Sequence, residues 1–254
     1  ALGAARAFLP VRGMTIVGTE AVYARGAPHL SLWHKRLENY AEAWYILYSE
    51  ILKTEAFFMI ITLGRQHGSN GHDIARALAD ALGYTCYDKE IVDHAAENSS
   101  FSKEILDTYD EKRVSSYIVP TPHYIGMNEG FRLNLQIATA QFDTIRSLAD
   151  KGNAIFVGRC ADYVLRNRDD VLRVFIMADM PFRIKTMMKR KNLTEDQAKK
   201  LIREVDKDRS SYYKYYTDQI WGESGNYDLC IDSSRIGVDG AVKVIESFMQ
   251  ALEK

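Results

Sequence analysis

The segment from Met59 to Leu82, MIITLGRQHGSNGHDIARALADAL, most constrains what this chain can fold into. An apolar run that favours a β-strand leads into a polar turn with three glycines, and an amphipathic helical pattern follows the turn. Strand, glycine-containing turn and helix in this order form a phosphate-binding loop, because glycines let backbone N–H groups converge on an anion while the helix adds its positive N-terminal end. The segment therefore predicts an anion site.

The residues after the last glycine depart from the usual phosphate loop, which carries Lys and then Ser or Thr at that point. Here His72 and Asp73 follow Gly71. Arg65, directly after the strand, is the first candidate for the missing cation, and His72 is the second. Asp73 would either bind Mg²⁺ or cap the helix. The residues predicted to contact phosphate are Gly64, Gly68, Ser69, Asn70, Gly71, His72 and Asp73.

Short apolar runs alternate with helical patterns from residue 60 to the end of the chain. The alternation favours an α/β fold with a central parallel sheet and helices on both faces. Ligands of such sheets bind beyond the carboxyl ends of the strands. Polar segments are predicted at that edge at residues 64–71, Asp88, Gly158-Arg159 and Asp232-Ser233.

The element boundaries follow from periodicity and from capping signals. Predicted strands cover residues 57–63, 84–87, 153–157, 171–178 and 227–232. Predicted helices beyond the first cover residues 90–97, 102–113, 131–151, 181–191, 194–207 and 239–252, and a loop is expected over 115–130.

Composition narrows the classes of partner. The 254 residues have a net charge of −1, so no global charge predicts a nucleic-acid partner. The apolar run over residues 57–63 is far short of the roughly 20 residues that a membrane span needs. Three cysteines without CxxC spacing argue against a disulfide framework or a zinc site and favour a reducing cytoplasm.

The N-terminal part differs from the rest. Residues 1–28 contain arginines and a single acid, Glu20. We expect a poorly ordered or non-native tail there, with a targeting segment as the alternative. Residues 29–57 read as an aromatic-rich helical extension that packs on the domain body or on a second subunit, which would make a homodimer. The main domain is expected over residues 58–254.

Arginines in the C-terminal half are a second indication of a phosphate-binding site. Arg203, Asp206 and Arg209 are spaced by three and share a helix face, and Arg183 lies on the preceding helix. The planar guanidinium grips phosphate oxygens in bidentate fashion. The alternative is a solvated face with intrahelical ion pairs. Arg159, after a buried strand, would point into the ligand cleft or close the sheet edge with a salt bridge.

Taken together in this order, these segments resemble the cytidylate kinase-like family of P-loop nucleoside monophosphate kinase relatives. The matching segments are the helix Ala75–Leu82, Gly158-Arg159, Ala178 with Arg183 five residues on, Arg203–Arg209, and Leu229–Ser234. The resemblance implies a three-layer P-loop kinase fold with a helical lid at about residues 183–221. It also implies transfer of the ATP γ-phosphoryl group to a nucleoside monophosphate, CMP or dCMP, with Mg²⁺.

The resemblance also implies roles for individual residues. The expected catalytic residues are Arg65, Arg159, Arg183, Arg203 and Arg209, and the expected acceptor-binding residues are Asp88, His94, Arg159 and Asp206. The chain has Tyr87-Asp88-Lys89-Glu90 where cytidylate kinases carry Leu-Asp-Ser-Gly, and it lacks the loop lysine. Two alternatives therefore stay open: a nucleotide-binding regulatory protein without turnover, and a kinase for another small acceptor.

Overall fold

The computed structural model describes residues 59–112 and 129–252. The chain divides into two units, residues 1–56 and 57–254. The expected tail over 1–28, the helical extension over 29–57 and the homodimer contact through that extension lie outside the described residues. So does most of the loop expected over 115–130.

The described residues form a five-stranded, fully parallel sheet in the order β2-β3-β1-β4-β5. The strands are β1 (Ile60–Arg65), β2 (Thr85–Tyr87), β3 (Ala154–Val157), β4 (Val171–Met177) and β5 (Leu229–Asp232). Ile60 is in register with Ala154 on one side and with Val171 on the other. A central strand of a parallel sheet is buried on both faces, which explains why each residue from Ile60 to Leu63 is buried.

Eight α-helices cover this sheet within the described ranges. They are α1 (Gly71–Leu82), α2 (Glu90–Glu97), α3 (Lys103–Tyr109), α4 (Glu129–Ala149), α5 (Ala161–Val164), α6 (Met180–Lys191), α7 (Glu195–Thr217) and α8 (Ser233–Leu252). No described helix combines the length and apolarity needed to cross a membrane.

Alternate residues of β1 point to two separate cores. Ile61 and Leu63 pack with residues of α1 and α8, such as Leu78 and Ile245. Ile60 packs on the opposite face with residues of α4, including Ile145. Each fully buried Ile or Leu contributes about 1.5–3 kcal/mol to folding. The period of two in the strand and the helical stripes therefore produce three layers, as predicted for the P-loop kinase fold.

Helices α6 and α7 follow each other in the chain with a short turn between them. Both begin at a residue whose side chain caps the helix. The Asp179 side chain accepts the N–H of Phe182 at 2.7 Å, and Thr194 with Gln197 forms a capping box at the start of α7. The pair is held by buried Met187, Ala198 and Ile202. These helices overlap the region, at about residues 183–221, where the sequence resemblance implies a lid, and we call them the lid helices.

Three helix boundaries differ from the sequence prediction by more than two residues, and one helix was not predicted. Helix α3 ends at Tyr109 rather than at 113. Helix α7 continues to Thr217 rather than 207, because Tyr212 and Tyr213 on its C-terminal half are buried. Helix α8 begins at Ser233, six residues early, and is kinked at Gly237, whose φ is 67°. The four-residue helix α5 was not predicted, since one turn is too short to show periodicity.

Candidate active site

The phosphate loop lies between β1 and α1. Gly68 and Asn70 have φ values of 82° and 60°, which turn the backbone back toward the helix. A Cβ on Gly71 would lie 2.5 Å from Cβ of Arg65, so only glycine fits there. Within the described part of the chain, the N–H groups of Gly71, His72 and Asp73 have no hydrogen-bond acceptor. Such a helix start is an anion site.

Neighbouring elements hold the loop in place. The N–H of Gln66 donates to the carbonyl of Ile176 at 3.0 Å, and the Gln66 side-chain oxygen accepts the N–H of Ala178 at 3.1 Å. The Ser233 hydroxyl, at the start of α8, donates to the carbonyl of Ser69 at 2.7 Å. Contacts with the ends of β4 and β5 therefore fix the loop before any ligand arrives.

The lid helices also contact the loop. Arg183 Nε donates to the carbonyl of His67 at 2.8 Å and its guanidinium pairs with Asp206. Asp206 Oδ1 in turn accepts the N–H of His67 at 2.8 Å. Arg190 contacts Asn70 Oδ1 at 2.9 Å and pairs with Asp73. Both faces of the loop are thus tied to the lid.

Three arginines meet beside the loop, and we call them the arginine triad: Arg65, Arg159 and Arg209. They converge on the carboxylate of Glu111. Arg65 Nη1 lies 2.5 Å from Glu111 Oε1, the backbone N–H of Arg159 donates to the same oxygen at 3.0 Å, and Arg209 Nε donates to Oε2 at 3.1 Å. One carboxylate therefore receives three donors.

Arg159 is the most enclosed member of the triad, with 2% of its surface exposed. Its Nε and Nη2 grip Asp110 at 2.8 and 2.6 Å in a bidentate pair. Its Nη1 donates to Asp88 Oδ1 and to the carbonyl of Val157, each at 3.2 Å. We call Asp110 and Glu111, which follow α3, the acidic pair.

Burial and pairing shift the pKa values of this network in different directions. Burial alone would raise the pKa of Glu111, but the charges of Arg65, Arg209 and Arg159 outweigh burial and lower it below its usual range. Burial and the neighbouring Arg65 lower the pKa of Arg209. Burial lowers the pKa of His67 to about 4, assisted by the charges of Arg209, Lys191, Arg183 and Arg65. His67 is therefore neutral at pH 7.

A small cavity borders the triad, with a volume of about 20 Å³. Its lining includes Gly64, Cys160 and Tyr212 in addition to the triad and Glu111. Space of this size accommodates about one water molecule. Tyr212 and Tyr213 pack against Cys160 in a buried cluster, and burial raises the pKa of the Cys160 thiol. Cys160 is therefore a packing residue here.

The structure brings most of the predicted side chains together in two groups. Arg65, Arg159, Arg209 and Asp88 meet at the triad, where His72 Nδ1 also lies 2.8 Å from Asp88 Oδ2. Arg183 and Asp206 meet at the loop backbone. His94 and Arg203 belong to neither group. His94 Nδ1 lies 3.2 Å from Glu97 Oε2 on the same helix. Arg203 is exposed and has no polar partner among the described residues.

Three residues of the site had not been singled out from the sequence: Asp110, Glu111 and Arg190. The acidic pair belongs to no motif and lies in a charged stretch at the end of a predicted helix. Arg190 is one of several cations on α6. The sequence offered only a weak signal: two adjacent acids near the end of the helix predicted over residues 102–113, ahead of the predicted loop.

Comparison with known proteins agrees with this geometry. The sequence model of the cytidylate kinase-like family matches residues 60–235. The cytidylate kinase of Methanococcus vannielii is 29% identical over 194 residues, which cover 74% of this chain and 98% of that protein. The cytidylate kinase of Methanothrix thermoacetophila is 25% identical over 197 residues, covering 77% and 100%.

A solved structure is also similar. The crystal structure of an uncharacterized protein from Eubacterium ventriosum has a TM-score of 0.59 and 28% sequence identity, and the match covers 76% of this chain and 98% of that one.

Proposed function

The chain belongs to the cytidylate kinase-like family, and from this premise we propose that it transfers the γ-phosphoryl group of ATP to a nucleoside monophosphate such as CMP or dCMP. One observation carries the proposal: the acceptor-free N–H groups at the start of α1 and the arginine triad share one edge of the sheet. Phosphoryl transfer needs mainly positioning of phosphates and neutralisation of the charge that develops on them.

The loop fits the phosphates of a nucleotide donor. The N–H groups of Gly71, His72 and Asp73 can donate to phosphate oxygens without breaking an existing bond, and the positive end of α1 attracts them. ATP, when bound with Mg²⁺, supplies the phosphoryl group. Mg²⁺ is ordinarily held by one or two carboxylates together with substrate phosphates. Asp73 is the carboxylate at the loop, and it would hold the metal after release from Arg190.

The arginines supply the cations that the loop lacks. Arg65 begins directly beneath the loop and extends toward Asp88 and Glu111. Arg209 Nη1 donates to the carbonyl of Arg65 at 3.1 Å, so the lid helix α7 positions both guanidinium groups together. In this proposal Arg65 and Arg209 contact the transferred group, and Arg183 orients the loop through the His67 carbonyl.

The acceptor side is formed by Asp88, His72 and Arg159. Asp88 joins the other two, because it accepts from Arg159 and lies against His72. A carboxylate in this position can accept a hydrogen bond from an acceptor hydroxyl or amine. The sequence resemblance also assigns Arg203 and His94 to the site. Arg203 would reach it only after a movement of the lid helices, and His94 would have to contact a different part of the ligand.

Release of ADP with a panel of acceptors tests the proposal. The panel holds CMP, dCMP, UMP, AMP and small alcohols, each with Mg²⁺ and ATP. We expect turnover with a pyrimidine monophosphate, and we expect Arg209→Ala to reduce it at least 100-fold. The matched control is Arg146→Ala, which removes an exposed arginine whose one ion pair within the described residues is with Asp143 along α4. No ADP release above the ATP-only rate with any acceptor would overturn the proposal.

A second candidate function is nucleotide binding without turnover. The observation that favours it is Glu111, which fills the triad in the place where a phosphate would bind. This candidate predicts thermal stabilisation by ATP with no ADP release for any acceptor. A kinase for a phosphate-free acceptor, favoured by Asp88 beside His72, predicts turnover with a small alcohol and none with a nucleotide.

A further inference from the structure

Glu111 is bound in the way that proteins bind phosphate. Its two oxygens receive a guanidinium from β1, a guanidinium from the lid helix α7 and a backbone N–H at Arg159. Only 14% of the Glu111 side chain is exposed. Arginine forks and backbone N–H groups bind carboxylate and phosphate oxygens with the same geometry.

The charge balance of the site points the same way. With the acidic pair in place, three carboxylates offset the arginine triad. Without the pair, the triad and Asp88 carry a net charge of +2. A buried site with this excess is strongly unfavourable when empty. It matches the charge of a phosphate monoester dianion.

The backbone at Glu111 is held in an uncommon conformation. Its φ is +49°, and a non-glycine residue in that region is retained where other contacts over-determine it, at a cost of about 1–3 kcal/mol. The contacts are tight, because a Cβ on Gly158 would clash with Glu111 Oε1 and with Arg65 Nη1. The carboxylate is therefore fitted into the triad at a cost in backbone strain.

No phosphate fits beside Glu111. The adjoining cavity of about 20 Å³ holds about one water molecule. The Arg65 and Arg209 guanidinium groups and the N–H of Arg159 already donate to Glu111. A phosphate that binds the triad must take the place of the carboxylate.

We propose that Glu111 occupies the seat of a nucleotide phosphate, as an internal carboxylate mimic, and that the acidic pair must withdraw from the arginine triad before a phosphate dianion binds there. The seat consists of the Arg65 and Arg209 guanidinium groups and the N–H of Arg159. The structure is then a self-occupied state of the site. The identification of the phosphate as a nucleotide's rests on the proposed function, while the competition between carboxylate and phosphate does not.

Binding of inorganic phosphate tests the competition directly. Calorimetry at constant ionic strength compares the wild-type chain with Glu111→Gln, which keeps the shape and removes the charge. We expect Glu111→Gln to bind phosphate at least tenfold more tightly. Glu104→Gln is the matched control, because it removes an equal charge from an exposed position on α3, and it should bind as the wild type does. Equal or weaker binding by folded Glu111→Gln would overturn the proposal.

Hydrogen exchange on the wild-type chain gives a test that needs no variant. At a phosphate concentration that protects the amides of residues 68–73, exchange over residues 103–112 should rise, since the acidic pair leaves the triad. Unchanged exchange over 103–112 alongside a protected loop contradicts the proposal. If phosphate protects no amides of the wild type, tight binding by Glu111→Gln supports the mimic, and absence of binding by both overturns it.

The same variants separate this inference from the kinase proposal. Tighter phosphate binding by Glu111→Gln without ADP release by any variant leaves the mimic standing and removes the kinase function. ADP release with unchanged phosphate affinity and unchanged nucleotide KM in Glu111→Gln leaves the kinase function standing and removes the mimic.

Discussion

Individual charged residues govern this site through what each is paired with. Arg159 is almost fully enclosed and uses its fork on Asp110, so its role in the absence of ligand is to hold the acidic pair. Arg65 and Arg209 instead share one carboxylate between them. A buried charge that loses its partner is costly. If Glu111 leaves, these two guanidinium groups are therefore the ones that most need another anion.

Replacement of Arg65 tests whether this residue supplies the cation that the loop lacks. Arg65→Ala should lower ADP release about 100- to 1,000-fold, because it removes a charged donor aimed at the transferred group. Arg65→Lys keeps the charge but loses the fork, so it should recover part of the rate. Steady-state kinetics of both variants, with Arg146→Ala as control, measure this. A rate within twofold of wild type in folded Arg65→Ala would remove Arg65 from the mechanism.

His67 makes the stability of the folded chain depend on pH. Its pKa of about 4 lies below the ordinary histidine value of about 6.5, so the unfolded chain binds more protons between these values and stability falls as the pH drops from 6.5 to 4. His67→Gln should remove part of that fall, on the order of 2 kcal/mol. Urea unfolding at pH 7.5 and 4.5 measures it. An equal effect in His94→Gln would contradict the assignment to His67.

Among the elements, helix α7 links the phosphate loop to the rest of the site. Its Asp206 binds the loop at His67 and pairs with Arg183, while its Arg209 reaches Arg65 and Glu111. The capping box fixes where the helix begins, and buried Tyr212 and Tyr213 anchor its far end. A movement of α7 would therefore change the loop and the triad together.

Asp206→Ala should loosen this link. The change leaves Arg183, of which 5% is exposed, without its carboxylate, at a cost of about 3 kcal/mol in the free energy of unfolding. It should also speed exchange of the His67 amide. Glu204→Ala, which removes an exposed acid from the same helix, should cost less than about 0.5 kcal/mol. An equal loss of unfolding free energy in the two variants would show that the Asp206 contacts do not stabilise the fold more than an exposed acid does.

At the scale of the whole molecule, the sheet brings distant segments to one edge. Strand β1 lies at the centre, between β3 and β4. The ends of these strands place the loop, Arg159 and Ala178 beside each other, although more than 110 residues separate the first from the last. Both cores and all five described strands belong to the unit over residues 57–254.

Residues 57–254 should therefore fold alone. We expect a cooperative thermal transition within about 5 °C of the full chain, which corresponds to roughly 1–2 kcal/mol for a unit of this size. The control ends at residue 228 and so lacks β5 and α8; it should not fold, since α8 covers one of the two cores. Loss of the transition in the 57–254 fragment would show that residues 1–56 contribute to its core.

The layers, the strands and the loop could be predicted from the amino-acid pattern. Period-two and helical patterns reflect local geometry and burial, which each segment carries in its own residues. Glycines at 68 and 71 and the strand before them predicted the phosphate turn for the same reason. The boundaries that moved, at α7 and α8, moved where burial by distant residues or a glycine kink outweighed local signals.

The pairing of charged residues, in contrast, depends on the tertiary fold. Arg65 could not be paired with Glu111 from the sequence, because 46 residues separate them and ion pairing has no periodicity. The same holds for Arg209 with Glu111 and for Arg190 with Asp73. Long-range electrostatic partners depend on how the parallel strands bring their carboxyl ends together. That arrangement turned a loop that lacks its lysine into an arginine site whose present occupant is a carboxylate of the chain itself.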